Sequence, residues 1–291
     1  MLTEQGMDME KTASFIRRSL SGLFAVLMAI GVSLSGEPYI ASGDAELTRS
    51  LIYNFADGVS FMQGLACDGE IYYGFGANKF LNYNAITKID VRSGEILERH
   101  EMCLPKDLMR LGYSHLGDGC LHEGKLYIAL EDFGFRHPGV ITYDPETLEY
   151  LDFKTVPDVA RGNGRIPWCE IDDSGVLYFT QSNEVTELRM LRASDMSFIG
   201  TIPLDRTLYK VQGGELLDGR MIMVTNEGKR EKNIYSVDLG TGHVEILFVR
   251  CTGKLDAEGE GIAVSDTGDG ASLHILDSGV CGVRIGSYAL K

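Results

Sequence analysis

Five stretches of the chain repeat one arrangement of hydrophobic and polar positions. Residues 61–73 run through small residues to an Asp68-Gly69 turn and out through β-branched and aromatic residues, which predicts a tight hairpin. The arrangement returns at 114–128, 166–179, 211–223 and 260–276, the first three of these turning at Glu123-Gly124, Ser174-Gly175 and Asp218-Gly219. Each of the first four copies is followed by a second hairpin. Those turns fall at Arg92-Ser93-Gly94, Pro145-Glu146-Thr147, Ala193-Ser194-Asp195 and Gly240-Thr241-Gly242. Four strands per copy, repeating every 50 or so residues, predict an all-β fold, a five-bladed β-propeller of four-stranded blades. The fifth copy holds only three strands, ending at 283–290, while a surplus strand at 48–55 precedes the first copy. Pairing that strand into the last blade closes the ring and removes its edges.

Composition narrows the classes of partner. Glycine supplies 35 of 291 residues and proline only 7, which suits tight turns in one domain over 45–291. The net charge of −15 leaves no basic surplus for phosphate, which excludes a nucleic-acid partner. Lys11, Arg17 and Arg18 precede an apolar run over 20–34, followed by Ser33, Ser35 and Gly36. Residues 1–36 therefore read as a secretory signal peptide, or as a retained N-terminal anchor, and the protein as secreted or held in the cell envelope. Beyond this leader nothing is long and apolar enough to insert in a membrane. Six cysteines in an exported chain permit disulfides. Cys67, Cys120 and Cys169 fall in inner strands and read as buried thiols, while Cys103, Cys251 and Cys281 fall near loops.

In a propeller the first strand of each blade lines a central tunnel. Gly64, Gly119, Gly213, Gly214 and Gly261 relieve the crowding there. The loops entering first strands and those between second and third strands share one mouth, and long loops carry function. One position across the five first strands holds Gln63, Asp118, Trp168 or Cys169, Gln212 and Glu260, with the register slipping by one in copies three and four. Phe61, His115, Arg165 and Glu258 lie beside them, and the mouth loops add Lys79, Phe80, Phe133, Arg136 and Glu227. Two readings follow. The polar groups could hold tunnel water and each other, or form a polar pocket for a small-molecule or peptide ligand, with Asp118 and Glu260 as catalytic proton carriers. No cofactor is required by the sequence, although Asp118, Glu260, Gln63 and Gln212 could hold an axial Ca²⁺. The Gly-x-Ser-x-Gly motif and phosphate-binding glycine loops are absent.

Residues 61–65, Phe-Met-Gln-Gly-Leu, resemble the first-blade Phe-x-Gln-Gly-Leu of the plant-type glutaminyl-peptide cyclotransferases, which are five-bladed propellers. Leu116-Gly117-Asp118-Gly119 is similar to that family's Phe-Gly-Glu-Gly, Trp168 falls near its third-blade Trp, and residues 260–263 near its Asn-Gly-Ile-Ala. The resemblance implies the same fold and cyclisation of an N-terminal glutamine with release of ammonia, with Asp118 in the place of the proton-transferring Glu. Asp118→Asn should then abolish ammonia release and leave the melting temperature nearly unchanged. Three functions are therefore expected: a ligand-binding propeller, a cyclotransferase-like enzyme, or a metal-dependent hydrolase or lactonase.

Overall fold

The computed structural model describes residues 38–78, 83–162, 165–253, 257–266, 270–279 and 282–291. The leader over 1–36, the loop residues Lys79 and Phe80, and Cys281 lie outside them. The five described cysteines are free thiols.

The chain starts with β1 (Tyr39–Gly43) and β2 (Ala45–Asn54) and then lays down its blades in order. Blade one is β3 (Gly64–Cys67), β4 (Ile71–Asn78), β5 (Tyr83–Asp90) and β6 (Ile96–Glu101). Blade two is β7 (Tyr113–His122), β8 (Lys125–Asp132), β9 (Gly139–Tyr143) and β10 (Tyr150–Thr155). Blade three is β11 (Glu170–Ile171), β12 (Val176–Phe179), β13 (Val185–Arg192) and β14 (Phe198–Leu208). Blade four is β15 (Val211–Leu217), β16 (Arg220–Thr225), β17 (Glu231–Asp238) and β18 (Val244–Cys251). Blade five contains β19 (Glu258–Asp266), β20 (Ala271–Gly279) and β21 (Gly282–Leu290).

Blade five is completed by β2, which lies antiparallel to β21 with Ala45 opposite Leu290 and Tyr53 opposite Val283. The ring therefore closes as the matched shortage and surplus of strands require, and the fold is a five-bladed β-propeller. One strand was not expected. β1 adds a fifth, outermost strand to blade four, with Tyr39 opposite Cys251. Its Tyr-Ile-Ala-Ser-Gly sequence has no two-residue alternation, because an outermost strand has little core to face.

Apolar side chains collect into five cores, each between two neighbouring blades. Blade-to-blade burial thus holds the ring together. Phe61 belongs to the core between blades five and one, where its ring meets Tyr53 edge-on at 4.9 Å. Trp168 belongs to the core between blades three and four, fully buried, with its indole N–H donating to Thr180 Oγ1 at 2.9 Å.

The seam beside the closing strand also carries a buried polar network. His274 Nδ1 meets Tyr72 Oη and Ser287 Oγ, each at 2.9 Å, and its Nε2 meets Ser265 Oγ at 2.7 Å. Burial pushes the imidazole down to about 4. The unfolded histidine takes up its proton near pH 6.5, so this contribution is whole above that pH and is lost as pH falls toward 4. Linkage sets its size at about 3 kcal/mol. Thermal melts between pH 7 and 4 should show a steeper acid loss for the wild type than for His274→Gln; parallel curves would contradict this.

Candidate functional site

The first strands of three blades carry a β-bulge at the same height. In β7, Leu116 faces Leu130 and Gly119 faces Ile128, so Gly117 and Asp118 oppose a single residue. In β15 the register shifts between Val211 and Gly213, and in β19 between Gly259 and Gly261. The bulges therefore fall on Asp118, Gln212 and Glu260. An inserted residue breaks the in-out alternation and re-aims its side chain.

Asp118 is aimed across the axis. Its Oδ1 accepts the Leu65 amide of blade one at 2.8 Å, and its Oδ2 accepts the Ile262 amide of blade five at 3.2 Å. Its own amide donates to the Pro167 carbonyl of blade three at 2.9 Å. In blade four, a Cβ on Gly213 would lie 2.5 Å from Oδ2, and on Gly261 in blade five 2.8 Å from Oδ1, so the carboxylate fits only because both are glycine. One residue of blade two thus touches every other blade. Its exposure is 1 %. Burial pushes the carboxyl well above the usual range, opposed by the two backbone N–H donors. Asp118 is a structural hub that joins all five blades at the axis.

Above Asp118 the mouth is polar. Gln212 Nε2 donates to Glu260 Oε2 at 3.2 Å. Glu260 is 7 % exposed and lies two residues after exposed Glu258 on β19. Burial and the Glu258 charge hold Glu260 well above the usual range, and Arg165 opposes them. Arg165 donates from Nε and Nη2 to the Glu131 oxygens at 3.3 and 3.2 Å and stacks over the Phe135 ring at 4.5 Å. His115 Nε2 lies 4.0 Å from the same Glu131. The structure therefore gathers His115 and Arg165 at Glu131, and Gln212 at Glu260. Gln63 stands partly exposed where the chain enters β3, its amide turned to the Met62 carbonyl at 3.3 Å.

Two expected wall residues are not at the mouth. Phe61 and Trp168 are both 0 % exposed and packed between blades, because a large ring finds more apolar surface there than beside carboxylates. Trp168 emission reports the fold, not a ligand. Sequence reasoning missed Glu131, the fully buried anchor of Arg165, which also accepts the Ile166 amide at 2.9 Å. Its signal was a carboxylate ending the apolar run of 126–130. A buried acid there needs paired donors.

Below Asp118 lie Cys120, Cys169, Glu170 and Glu215. The neighbouring Cys169 thiol and burial push the Cys120 thiol up, and burial with the Glu215 charge pushes the Glu170 carboxyl up. Burial pushes Glu215 up to about 8, against the Val264 amide that it accepts at 3.2 Å. Asp118 separates this floor from the mouth. Among the described residues no three His, Cys, Asp or Glu side chains are arranged to hold a metal ion. The axial Ca²⁺ set fits poorly too: Asp118 is engaged with backbone amides and Gln212 with Glu260.

No protein-family model and no curated protein matches the sequence. Solved structures do. The β-xylosidase RS223 is similar at a TM-score of 0.54 and 11 % identity, over 82 % of this chain and 94 % of its own. An exo-β-1,3-galactanase from Phanerochaete chrysosporium, with β-1,3-galactotriose, is similar at 0.50 and 10 % identity, over 84 % of this chain and 64 % of its own. A Kuenenia stuttgartiensis hydrazine synthase is similar at 0.44 and 12 % identity; 77 % of this chain spans 57 % of that one. The likeness to the xylosidase and the galactanase is one of fold and names no chemistry for the mouth.

Proposed function

We propose that the chain binds a small molecule or peptide through an amine presented to Glu258 and Glu260 at the mouth of the tunnel. The pairing of a buried Glu260 with exposed Glu258 two residues before it on β19 carries the reading. Neighbouring acids favour a cation between them, and Glu260 is held in place by its bulge and by Gln212. Arg165, anchored on Glu131, stands ready for a carbonyl or carboxylate of the same ligand. The leader reading of residues 1–36 sets this binding outside the cytoplasm.

Glutamine cyclisation, which the family resemblance implies, would fall to Asp118, whose oxygens are both taken by the Leu65 and Ile262 amides. Binding without that chemistry is what the geometry supports. Because the amine displaces a proton, affinity should rise with pH through the raised titration of Glu260. Calorimetric titration with putrescine and with glycyl-alanine amide between pH 5 and 8 should give binding that strengthens with pH. Glu260→Gln should weaken it about tenfold or more, the loss of one charge-assisted bond. Equal heats from N-acetylated glycyl-alanine amide would overturn the proposal.

A further inference from the structure

The charge of −15 is unevenly placed. On the face opposite the mouth, the tight turns between first and second strands present exposed Asp68, Glu70, Glu123, Asp173 and Asp218. On the mouth face, exposed Lys106, Arg110, Arg136, Lys210, Lys229 and Arg230 are matched by the exposed acids Glu101, Asp107, Asp158, Glu184, Glu231 and Glu258. The opposite face keeps more acids than its exposed Arg92, Lys125 and Arg192 offset, so the mouth is the less negative face of an acidic molecule.

The same face carries the most exposed apolar side chains. Phe133 at 74 %, Leu111 at 73 % and Val159 at 67 % exceed every other large hydrophobic among the described residues. Leu111 follows the short helix Lys106–Arg110, Phe133 follows β8, and Val159 lies in the short helix Asp158–Arg161. These are mouth-side connectors of blades one to three, and the Phe133 amide donates to the Gly112 carbonyl at 3.0 Å, joining two of them. Tyr209, on the connector from β14 to β15, adds an exposed aromatic ring. Large exposed apolar groups on a single face mark an interaction surface.

Where the chain joins the structure identifies the partner. Tyr39 lies opposite Cys251, at the mouth-side end of β18. The apolar run over 20–34 precedes it by a few residues of sequence. Apolar side chains flanked by Lys and Arg, on the face where Tyr39 opens the first strand, have the chemistry of a peripheral lipid-binding surface. We propose that the mouth face docks on an anionic lipid bilayer, with Leu111, Phe133 and Val159 in the headgroup region and the basic side chains on lipid phosphates. The acidic opposite face then points away. This goes beyond the amine-binding reading and does not depend on it.

The chain's single tryptophan, Trp168, is fully buried, so an added one reports its own surroundings. The full chain carrying Phe133→Trp, Leu111→Trp or Asp173→Trp would be mixed with phosphatidylcholine–phosphatidylglycerol vesicles containing brominated phosphatidylcholine. At positions 133 and 111 the added emission should shift to the blue and be quenched, while at 173 it should stay unquenched. Lys210→Glu and Lys229→Glu should each weaken vesicle binding roughly fivefold or more, and high salt should weaken it for the wild type. Equal quenching on both faces, or none at 133 and 111, would overturn the proposal. So would a blue shift at 133 that follows protein concentration without vesicles, since a second copy would then cover the face.

Discussion

Asp118→Ala is expected to destabilise the protein by about 4 kcal/mol: two buried amides lose their acceptor, each at a cost of about 1–3 kcal/mol, and a small void opens on the axis. The amides are those of Leu65 and Ile262, which belong to the first and last blades. The carboxylate therefore links the two ends of the repeat in addition to the outer pairing of β2 with β21. Asp118→Asn should cost less, about 2 kcal/mol, because its amide oxygen can accept one of the two donors. Chemical denaturation of the three proteins checks both values. A loss below about 1 kcal/mol for Asp118→Ala would show that the hub contributes little. This replaces the expectation, drawn from the sequence alone, that Asp118→Asn would leave the melting temperature nearly unchanged.

Glu215→Gln should stabilise the protein in alkaline solution and leave it unaltered in acid. Burial pushes Glu215 up to about 8, from an ordinary value of 4.5. A carboxyl whose folded value is raised contributes fully below its unfolded value, and that contribution is lost as pH rises through the folded one. Between pH 4.5 and 8 the wild type should lose about 3 kcal/mol from this group, allowing for water screening on its partly exposed side. Asp118 and Glu170 are raised as well, and the Glu215 charge is among the causes for both. Removing that charge relieves them too. Melts of wild type and Glu215→Gln should coincide near pH 4.5 and diverge by several degrees at pH 8. A less stable variant at pH 8 would contradict the assignment. The sign is opposite to that at His274, so the two contributions separate on the pH axis.

The repeat was legible because turn chemistry and strand alternation recur in every blade, and the closing strand was legible because the last copy lacks one. β1 was not, since five residues on an outer edge carry no pattern. The position aligned across the first strands coincides with a bulge in three of them, near Asp118, Gln212 and Glu260. Their roles were not legible. Sequence spacing cannot show a bulge, and the bulges decide that Asp118 meets backbone amides on the axis while Glu260 lies at the mouth. Phe61 and Trp168 were placed by strand position, which does not distinguish a tunnel wall from the seam between blades.

Two-dimensional amide spectra of the isotope-labelled protein, recorded while glycyl-alanine amide is added, test the division of the tunnel at Asp118 most directly. Progressive shifts at Gln212, Glu258 and Glu260, with Cys120, Glu170 and Glu215 unmoved, are the expected result. Shifts centred on those three lower residues, or no shifts at the mouth at saturating amine, would contradict it.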